Sequence, residues 1–252
     1  MTERHKIAQA ATILLLRPLD EAKGFEVFLT RRPDGMAFLG GFYCFPGGAL
    51  RKDVCSAAML ARCHGLSPTG ARKILGAHLS PQVALGLWAA GIRELFEEVG
   101  ILLAVNKSGQ PWVAAGDHKK DFADKRAALL EKTLSFRSLL ESKDLLCDAS
   151  KLTYFSHWQT PGQFAIRFDT RFFLVVLPEG QVPLSTSPEV VHSVWITPDR
   201  ALKLFAEDQL PMIFPTFTSL RTLADFESVE SLLRAYGANC ASQQDKAQLL
   251  GW

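Results

Sequence analysis

The chain has 252 residues, 28 Lys plus Arg against 26 Asp plus Glu, and 48% hydrophobic residues, which is the profile of a soluble globular protein and excludes a disordered or fibrous one. A formal charge of +2 is too small for a protein built around the phosphate backbone of nucleic acid, so no nucleic-acid partner is expected. Five cysteines at 44, 55, 63, 147 and 240 show no CxxC or zinc-ligand spacing and read as free thiols of a reducing compartment.

The opening MTERHKIAQAATILLLRP places basic residues before an apolar run, but that run stops at Arg17 without a small-residue cleavage site and reads as a strand. No apolar run approaches the roughly 20 residues of a membrane helix, so a cytoplasmic protein with no membrane partner is expected. Residues 9–16 and 25–31 are short β-rich runs around a polar connection, which predicts neighbouring antiparallel strands. Glycines then cluster at 35, 40, 41, 47 and 48 between Phe38, Phe42, Tyr43 and Phe45, so the backbone turns tightly among aromatic packing residues. Residues 54–77 are helical in composition, broken at 65–68 where Ser67 can cap and Pro68 can open a second helix.

The clearest element follows. Ser80 is an N-cap, Pro81 takes the first helical position and Gly100 supplies a left-handed stop, which brackets a helix over about 81–99. At roughly 100° per residue, Leu85, Trp88, Ala89, Ile92, Leu95, Phe96 and Val99 share one face, and Arg93, Glu94, Glu97 and Glu98 share the other. One face packs and the other presents charge. Residues 106–121 form a polar loop, and 122–142 an amphipathic helix whose charges are most simply solvated. Strand signals return at 164–177 and 189–196, Thr197-Pro198 opens a short helix, and 217–236 is helical up to Gly237. With no dividing linker and no repeat, the chain reads as one α+β domain over 1–252, with a helical insertion at about 54–80 and a helical cover segment at about 117–150. The six histidines show no ligand spacing and read as structural or surface residues, and Trp158 and Trp195 as core or sheet-edge aromatics.

Glu94 and Glu98 lie one helical turn apart, as do Arg93 and Glu97, so three carboxylates converge beside one guanidinium. Like charges at these spacings oppose each other and raise the pKa of the worst-placed group. A hard divalent cation removes the conflict, since Mg²⁺ joins one or two carboxylates to substrate phosphates. From spacing alone, a solvated acidic surface patch explains the same residues equally well.

Arg93-Glu94-Leu95-Phe96-Glu97-Glu98-Val99-Gly100-Ile101 matches R-E-U-x-E-E-x-G-U, with U apolar, at every defined position, and so resembles the second half of the Nudix box of the Nudix hydrolase family. Phe45-Pro46-Gly47-Gly48 is similar to the turn that opens the box, where the family has G-x5-E; here Gly47-x5 arrives at Asp53, and 39 residues, Val54 to Ile92, separate it from Arg93. Upstream, Phe28-Leu29-Thr30-Arg31-Arg32, then Gly41 and Phe45-Pro46-Gly47-Gly48, resembles the L-L-T-x-R-[SA]-x3-R-x3-G-x3-F-P-G-G motif of coenzyme A diphosphatases, with Phe28, Pro33 and Ala37 as departures. The long insertion, Trp158-x-Thr160-Pro161 and the strand from Arg167 to Phe173 are similar to the peroxisomal coenzyme A diphosphatase branch and its bacterial relatives, although Leu249-Leu250-Gly251-Trp252 is not a peroxisomal address.

The resemblance implies a Nudix fold, a mixed β-sheet flanked by helices as an α/β/α sandwich with extra helical insertions. It implies Mg²⁺ or Mn²⁺ held by Glu94, Glu97 and Glu98 with a backbone carbonyl near Gly48, and Arg93 orienting a carboxylate. Glu189 is the late-loop candidate for general base, against an exposed strand-start acid as the simpler explanation. Arg32, Phe45, Gly47 and Arg167 are candidate substrate contacts; for Arg32 a surface strand charge, for Phe45 burial under the turn, and for Arg167 an acidic partner compete with that role. The implied substrate is a small nucleoside diphosphate derivative. Coenzyme A or acyl-coenzyme A, cleaved to 3′,5′-ADP and (acyl-)4′-phosphopantetheine, leads; ADP-ribose, NADH or another dinucleotide is the alternative, and a catalytically silent ligand sensor the remote one. The insertion and the 122–142 helix are candidates for a lid or a homodimer face.

Overall fold

In the computed structural model, the described residues are 7–238 apart from 20–23, 37–38, 114–117 and 186. His5, Ala37, Phe38, Cys240 and the C-terminal Leu249 to Trp252 therefore lie outside them.

The first apolar run forms β1 (Ala8–Pro18) and the second β2 (Phe25–Arg31), antiparallel as the sequence predicts, with Leu16 opposite Val27. The glycine-rich segment adds β3 (Tyr43–Cys44) and β4 (Gly47–Ala49), short strands that two-residue periodicity cannot announce. A 3-10 turn at Lys52–Cys55 leads into the insertion: α1 (Ala57–Leu60), β5 (Cys63–His64) and α2 (Pro68–Leu75), the last capped by Ser67 as expected. Then come α3 (Pro81–Val99) and β6 (Ala104–Val105).

The stretch expected as one helix at 122–142 is two, α4 (His118–Leu130) and α5 (Phe136–Ser142). Lys132 turns left-handed between them (φ 60°), and Ser135 caps the second by accepting from the Ser138 amide. After β7 (Leu146–Asp148), the edge strand β8 (Thr153–Gln159) precedes β9 (Phe168–Val176) and β10 (His192–Ile196). The expected C-terminal helix is likewise divided. After α6 (Pro198–Ala206), α7 (Phe214–Leu223) and α8 (Val229–Ala238) are separated where Ser228 accepts from the Ser231 amide.

The main sheet runs β10-β2-β1-β9-β8, with β3 paired to β2 and β4 to β1. Its centre is the parallel pairing of β1 with β9, in register from Ala8/Phe168 to Leu16/Val176. That central position explains why Ile13 to Leu16 are all fully buried, since side chains of both parities meet a core. Ala11, Ile13 and Leu15 pack with α1 to α5, whereas Leu14 and Leu16 pack with α6, α7 and α8. The result is the helix-sheet-helix sandwich that the resemblance implies. A separate small sheet, β5-β7-β6, ties the insertion to the segments after α3 and α5. Among the described residues no helix is long and apolar enough to cross a membrane.

Candidate active site

α3 has the predicted bounds and the predicted caps. Ser80 Oγ accepts from the Val83 amide at 3.2 Å, and Gly100 ends the helix at φ +76°, where a side chain would be strained. A further restraint at that end was not legible: Arg126 of α4 donates from Nε to the Phe96 carbonyl and from Nη2 to the Glu98 carbonyl, both at 3.0 Å. The bond to Glu98 satisfies a carbonyl of the last turn, and the one to Phe96 joins the Gly100 amide on the same oxygen, so Arg126 fixes the backbone that carries the glutamates.

The charged side of α3 is not presented to solvent. Arg93, Glu94, Glu97 and Glu98 are 0%, 6%, 2% and 4% exposed, so the expectation of a charged outer face is corrected: the residues line a buried site. Arg93 pairs with Glu94, donates from Nη1 to Glu97 at 2.7 Å, and reaches the Ala49 carbonyl at 3.1 Å. Burial opposes the Arg93 charge, but Glu94 and Glu97 outweigh it and raise its pKa. Arg51, just after β4, adds two bonds to Glu97 at 3.2 and 3.1 Å. Glu97 thus carries two guanidiniums.

Glu98 has a different environment. Gly47 N–H donates to it at 3.2 Å, and burial followed by repulsion from Glu94 and Glu189 pushes its pKa well above the usual carboxylate range. Burial also raises Glu94, with Arg93 opposing. Gly48 lies against Glu94 so closely that an added Cβ would stand 2.4 Å from Oε1, which is why the turn needs glycine there. The β1–β4 ladder bears on which backbone carbonyl near Gly48 faces the carboxylates. Bonds from Ile13 N to Pro46 O and from Leu50 N to Gln9 O flank the Ala11/Gly48 pair, so Gly48 faces β1, and Gly47 and Ala49 point their polar groups toward α3.

Among the described residues, no three His, Cys, Asp or Glu side chains form a ready-made metal cluster. Arg93 and Arg51 hold Glu97 in ion pairs, and Arg93 also pairs with Glu94, whereas Glu98 accepts from the Gly47 amide. Two buried, mutually repelling carboxylates beside the Gly47 carbonyl fit a hard divalent cation whose remaining ligands come from water and phosphate.

These groups form one end of a cavity of about 790 Å³ lined there by Arg32, Arg51, Gly47, Gly48, Glu94 and Glu189. Arg32 lines the cavity, and its Nε is buried with no hydrogen-bond partner among the described residues. Glu189 is exposed at the cavity rim, close enough to Glu98 to raise its pKa. Phe45 is buried, packed edge-on against Phe172 with centroids 6.4 Å apart, yet also forms part of the cavity wall.

Arg167 is not brought to the cavity lining. Its Nε donates to the Thr160 carbonyl at 3.1 Å, which fastens the turn before β9 and replaces the acidic partner expected for it. Asp53 is exposed in the 3-10 turn, where its carbonyl accepts from Ser56. Trp158, expected as a core or edge aromatic, forms part of the cavity wall. Arg51 was missed because nothing local links it to a glutamate 46 residues away; a cation directly after the Gly-Gly turn was the available signal.

A family model described as the NUDT19 Nudix domain matches residues 5–223. The chain is 29% identical over 240 residues to the human acyl-coenzyme A diphosphatase NUDT19, covering 84% of this chain and 64% of that protein. It is 28% identical over 244 residues to the Gallus gallus protein of the same name, covering 82% and 63%. The alignments therefore span less than two thirds of the curated relatives. The crystal structure of a NUDIX hydrolase from Alicyclobacillus acidocaldarius superposes with a TM-score of 0.73 at 27% identity, covering 91% of this chain and 96% of that one. With the family model spanning the cavity, both halves of the split box and most of the sheet, the chain belongs to the NUDT19 Nudix domain family.

Proposed function

We propose that the protein hydrolyses the diphosphate linkage of coenzyme A or acyl-coenzyme A, releasing 3′,5′-ADP and (acyl-)4′-phosphopantetheine. The observation that carries this reading is the cavity itself, in which buried Glu94 and Glu98, the Gly47–Gly48 turn and two arginines occupy one end of a space large enough for an extended ligand. The relatives named acyl-coenzyme A diphosphatase support the choice of substrate.

Mg²⁺ or Mn²⁺ on Glu94, Glu98 and the Gly47 carbonyl would neutralise the diphosphate and activate the attacking water. Arg93 positions Glu94 and Glu97 without touching substrate. Arg32 and Arg51 supply donors to phosphate oxygens, and Glu97 holds Arg51 at the rim for that purpose. Glu189, at the cavity rim, would take a proton from the attacking water, a role its position beside Glu98 supports. Retention of all three helix glutamates argues against a silent sensor. Cys44, Cys55, Cys63 and Cys147 are free, which supports a reducing, cytoplasmic setting, and the two cores on one sheet support a single domain.

The test compares kcat/KM for coenzyme A, ADP-ribose and NADH with Mg²⁺ or Mn²⁺ present. Coenzyme A should lead by more than about tenfold; the reverse order would replace this reading with the ADP-ribose or dinucleotide one.

A further inference from the structure

We propose that Cys63 and Cys147 form a cross-strand dithiol that closes to a reversible disulfide by exchange with a low-molecular-weight disulfide, and that the bond staples the insertion to the segment after α5 while leaving the active site as it is.

The small sheet brings the two cysteines together. β5 and β7 run parallel with Cys63 directly opposite Cys147. Neighbouring strands lie about 4.8 Å apart, inside the ~4.4–6.8 Å that separates the Cα atoms of a disulfide. Bonds at the pair itself fix the register: the Cys147 amide donates to the Arg62 carbonyl at 2.8 Å, and the Arg62 guanidinium donates to the Leu145 carbonyl at 3.1 Å. Opposed residues share a face of the sheet, and the two thiols are in hydrogen-bonding contact. The next pair in register, His64 with Asp148, points to the other face, so no metal-ligand set is assembled there among the described residues. Cys55 Sγ is seated instead against Gly86 of α3, and Cys44 Sγ donates to the Thr30 carbonyl at 3.7 Å in the main sheet.

The two thiols have different parts in the exchange. Cys63 is half-buried, so a disulfide in solution can reach it, whereas Cys147 is fully buried. Its bond to Cys63, and then burial, push the Cys147 thiol well above the ordinary range, so attack falls to Cys63. Cys63 loses its proton and bonds to one sulfur of R–S–S–R; the R–S–S–R bond breaks, and the departing thiolate takes up a proton to leave as R–SH. Capture of Cys63 removes the leading cause that kept Cys147 protonated. Cys147 then gives up its proton, attacks the Cys63 sulfur and expels the second R–SH. Two electrons and two protons have passed from the protein to the disulfide, which leaves as two thiols.

The loop closed by this bond, from 63 to 147, contains α2 to α5, so the bond removes freedom chiefly from the unfolded chain. Neither cysteine lines the cavity, and the carboxylates keep their places. The protein therefore becomes harder to unfold when its surroundings turn oxidising, and still turns over substrate.

In the experiment the full chain is equilibrated with glutathione disulfide, or with reduced glutathione as control, and examined by tryptic peptide mapping, thermal melting and turnover of coenzyme A. The oxidised chain should lose two hydrogens, yield one peptide pair joined through Cys63 and Cys147, and gain at least about 5 °C in Tm. Its kcat/KM should stay within about twofold, and dithiothreitol should reverse every change. Cys63→Ser should show neither the joined peptides nor the gain in Tm, with Cys63→Ala in its place if the serine variant does not fold; the wild-type map needs neither. Glutathione left on Cys63, a link from Cys63 to Cys55, or thiols that stay reduced would overturn the dithiol. A Cys63–Cys147 link with an unchanged Tm would overturn the staple, and a large loss of turnover on oxidation its independence from the active site. The map and the melt do not depend on the coenzyme A reading above.

Discussion

Glu98 is stabilised in its charged form by Arg32 and one backbone N–H, which burial, Glu94 and Glu189 outweigh. A carboxylate so placed weakens the metal-free fold wherever it is ionised. Its folded pKa lies above the unfolded one, so the native state binds the extra proton, and stability falls as pH rises from the unfolded value near 4.3 through the folded one. Glu98→Gln keeps an oxygen for the Gly47 amide and removes the charge. In chelator-treated protein it should raise Tm by a few degrees, equivalent to about 1–2 kcal/mol, and flatten that pH dependence. Turnover should fall at least about 100-fold, since the site loses one of the two carboxylates proposed to hold the metal. Thermal melts and kcat on the same preparation check both, and a lower Tm with intact turnover would remove Glu98 from the site. Arg51 differs, being 37% exposed, so its pair with Glu97 adds less than about 1 kcal/mol to stability. Arg51→Ala should leave Tm nearly unchanged and raise KM for coenzyme A about tenfold or more, with a smaller effect on kcat. The contrast shows what was readable at this scale. Helical spacing fixes Glu94, Glu97 and Glu98 relative to one another, whereas Arg51 and Arg126 meet α3 only through chain folding, and no spacing rule links them to it.

Elements were legible where local chemistry punctuates them. α3 carries a serine cap, a proline start and a glycine stop, and the structure has the same bounds. The breaks within 122–142 and 217–236 were missed because the apolar period continues across them and the interruptions, at Lys132–Ser135 and Phe226–Ser228, lack proline and glycine. β5, β6 and β7 are too short to show a period at all. A polar cluster holds the far end of the main sheet together. Asp169 of β9 accepts from Gln9 of β1 at 2.7 Å and pairs with His157 of β8 and with Arg171, which also reaches His78 at 3.0 Å, in the segment between α2 and α3. Burial pushes the Asp169 carboxyl up, but its bonds to His157 and Arg171 outweigh that and hold it well below the usual carboxylate range. The sign is therefore opposite to that of Glu98. Its contribution is fully present above the unfolded pKa near 3.9 and is lost as pH falls from there through the folded value. Asp169→Asn leaves Arg171, 1% exposed, without its carboxylate and should cost about 3 kcal/mol at pH 7. Urea denaturation at pH 7 and pH 3 tests this. The difference between wild type and variant should be large at pH 7 and smaller at pH 3, and equal midpoints at pH 7 would show the cluster to be incidental.

The two sides of the sheet are unequal, and the inequality bears on motion. The α1–α5 side packs α3, two further helices and the insertion into one extensive cluster around Trp88, Phe136 and Phe173. The α6–α8 side has the smaller cluster and also holds the cavity, so Phe205, Ile213 and Phe217 remain only partly buried there. The sandwich could be expected from the box and its flanking strands. The chamber could not, because its wall combines residues from β1, β3, β4, α3, β8, β9, α6 and α7, whose juxtaposition is a property of the assembled chain. Local opening is easiest where fewest apolar contacts must be broken. The carboxylate helix thus lies on the rigid side, and the wall that would receive the apolar part of a ligand on the yielding one. Native-state hydrogen exchange should show this division. Amides of α6 and α7 should open at lower free energy than those of α3 and β1, and a non-hydrolysable acyl-coenzyme A analogue should slow exchange in α6 and α7 far more than in α3. If α7 is as protected as α3 without ligand, the cavity is rigid on both walls, and substrate entry has to proceed through its open mouth without movement of the helices.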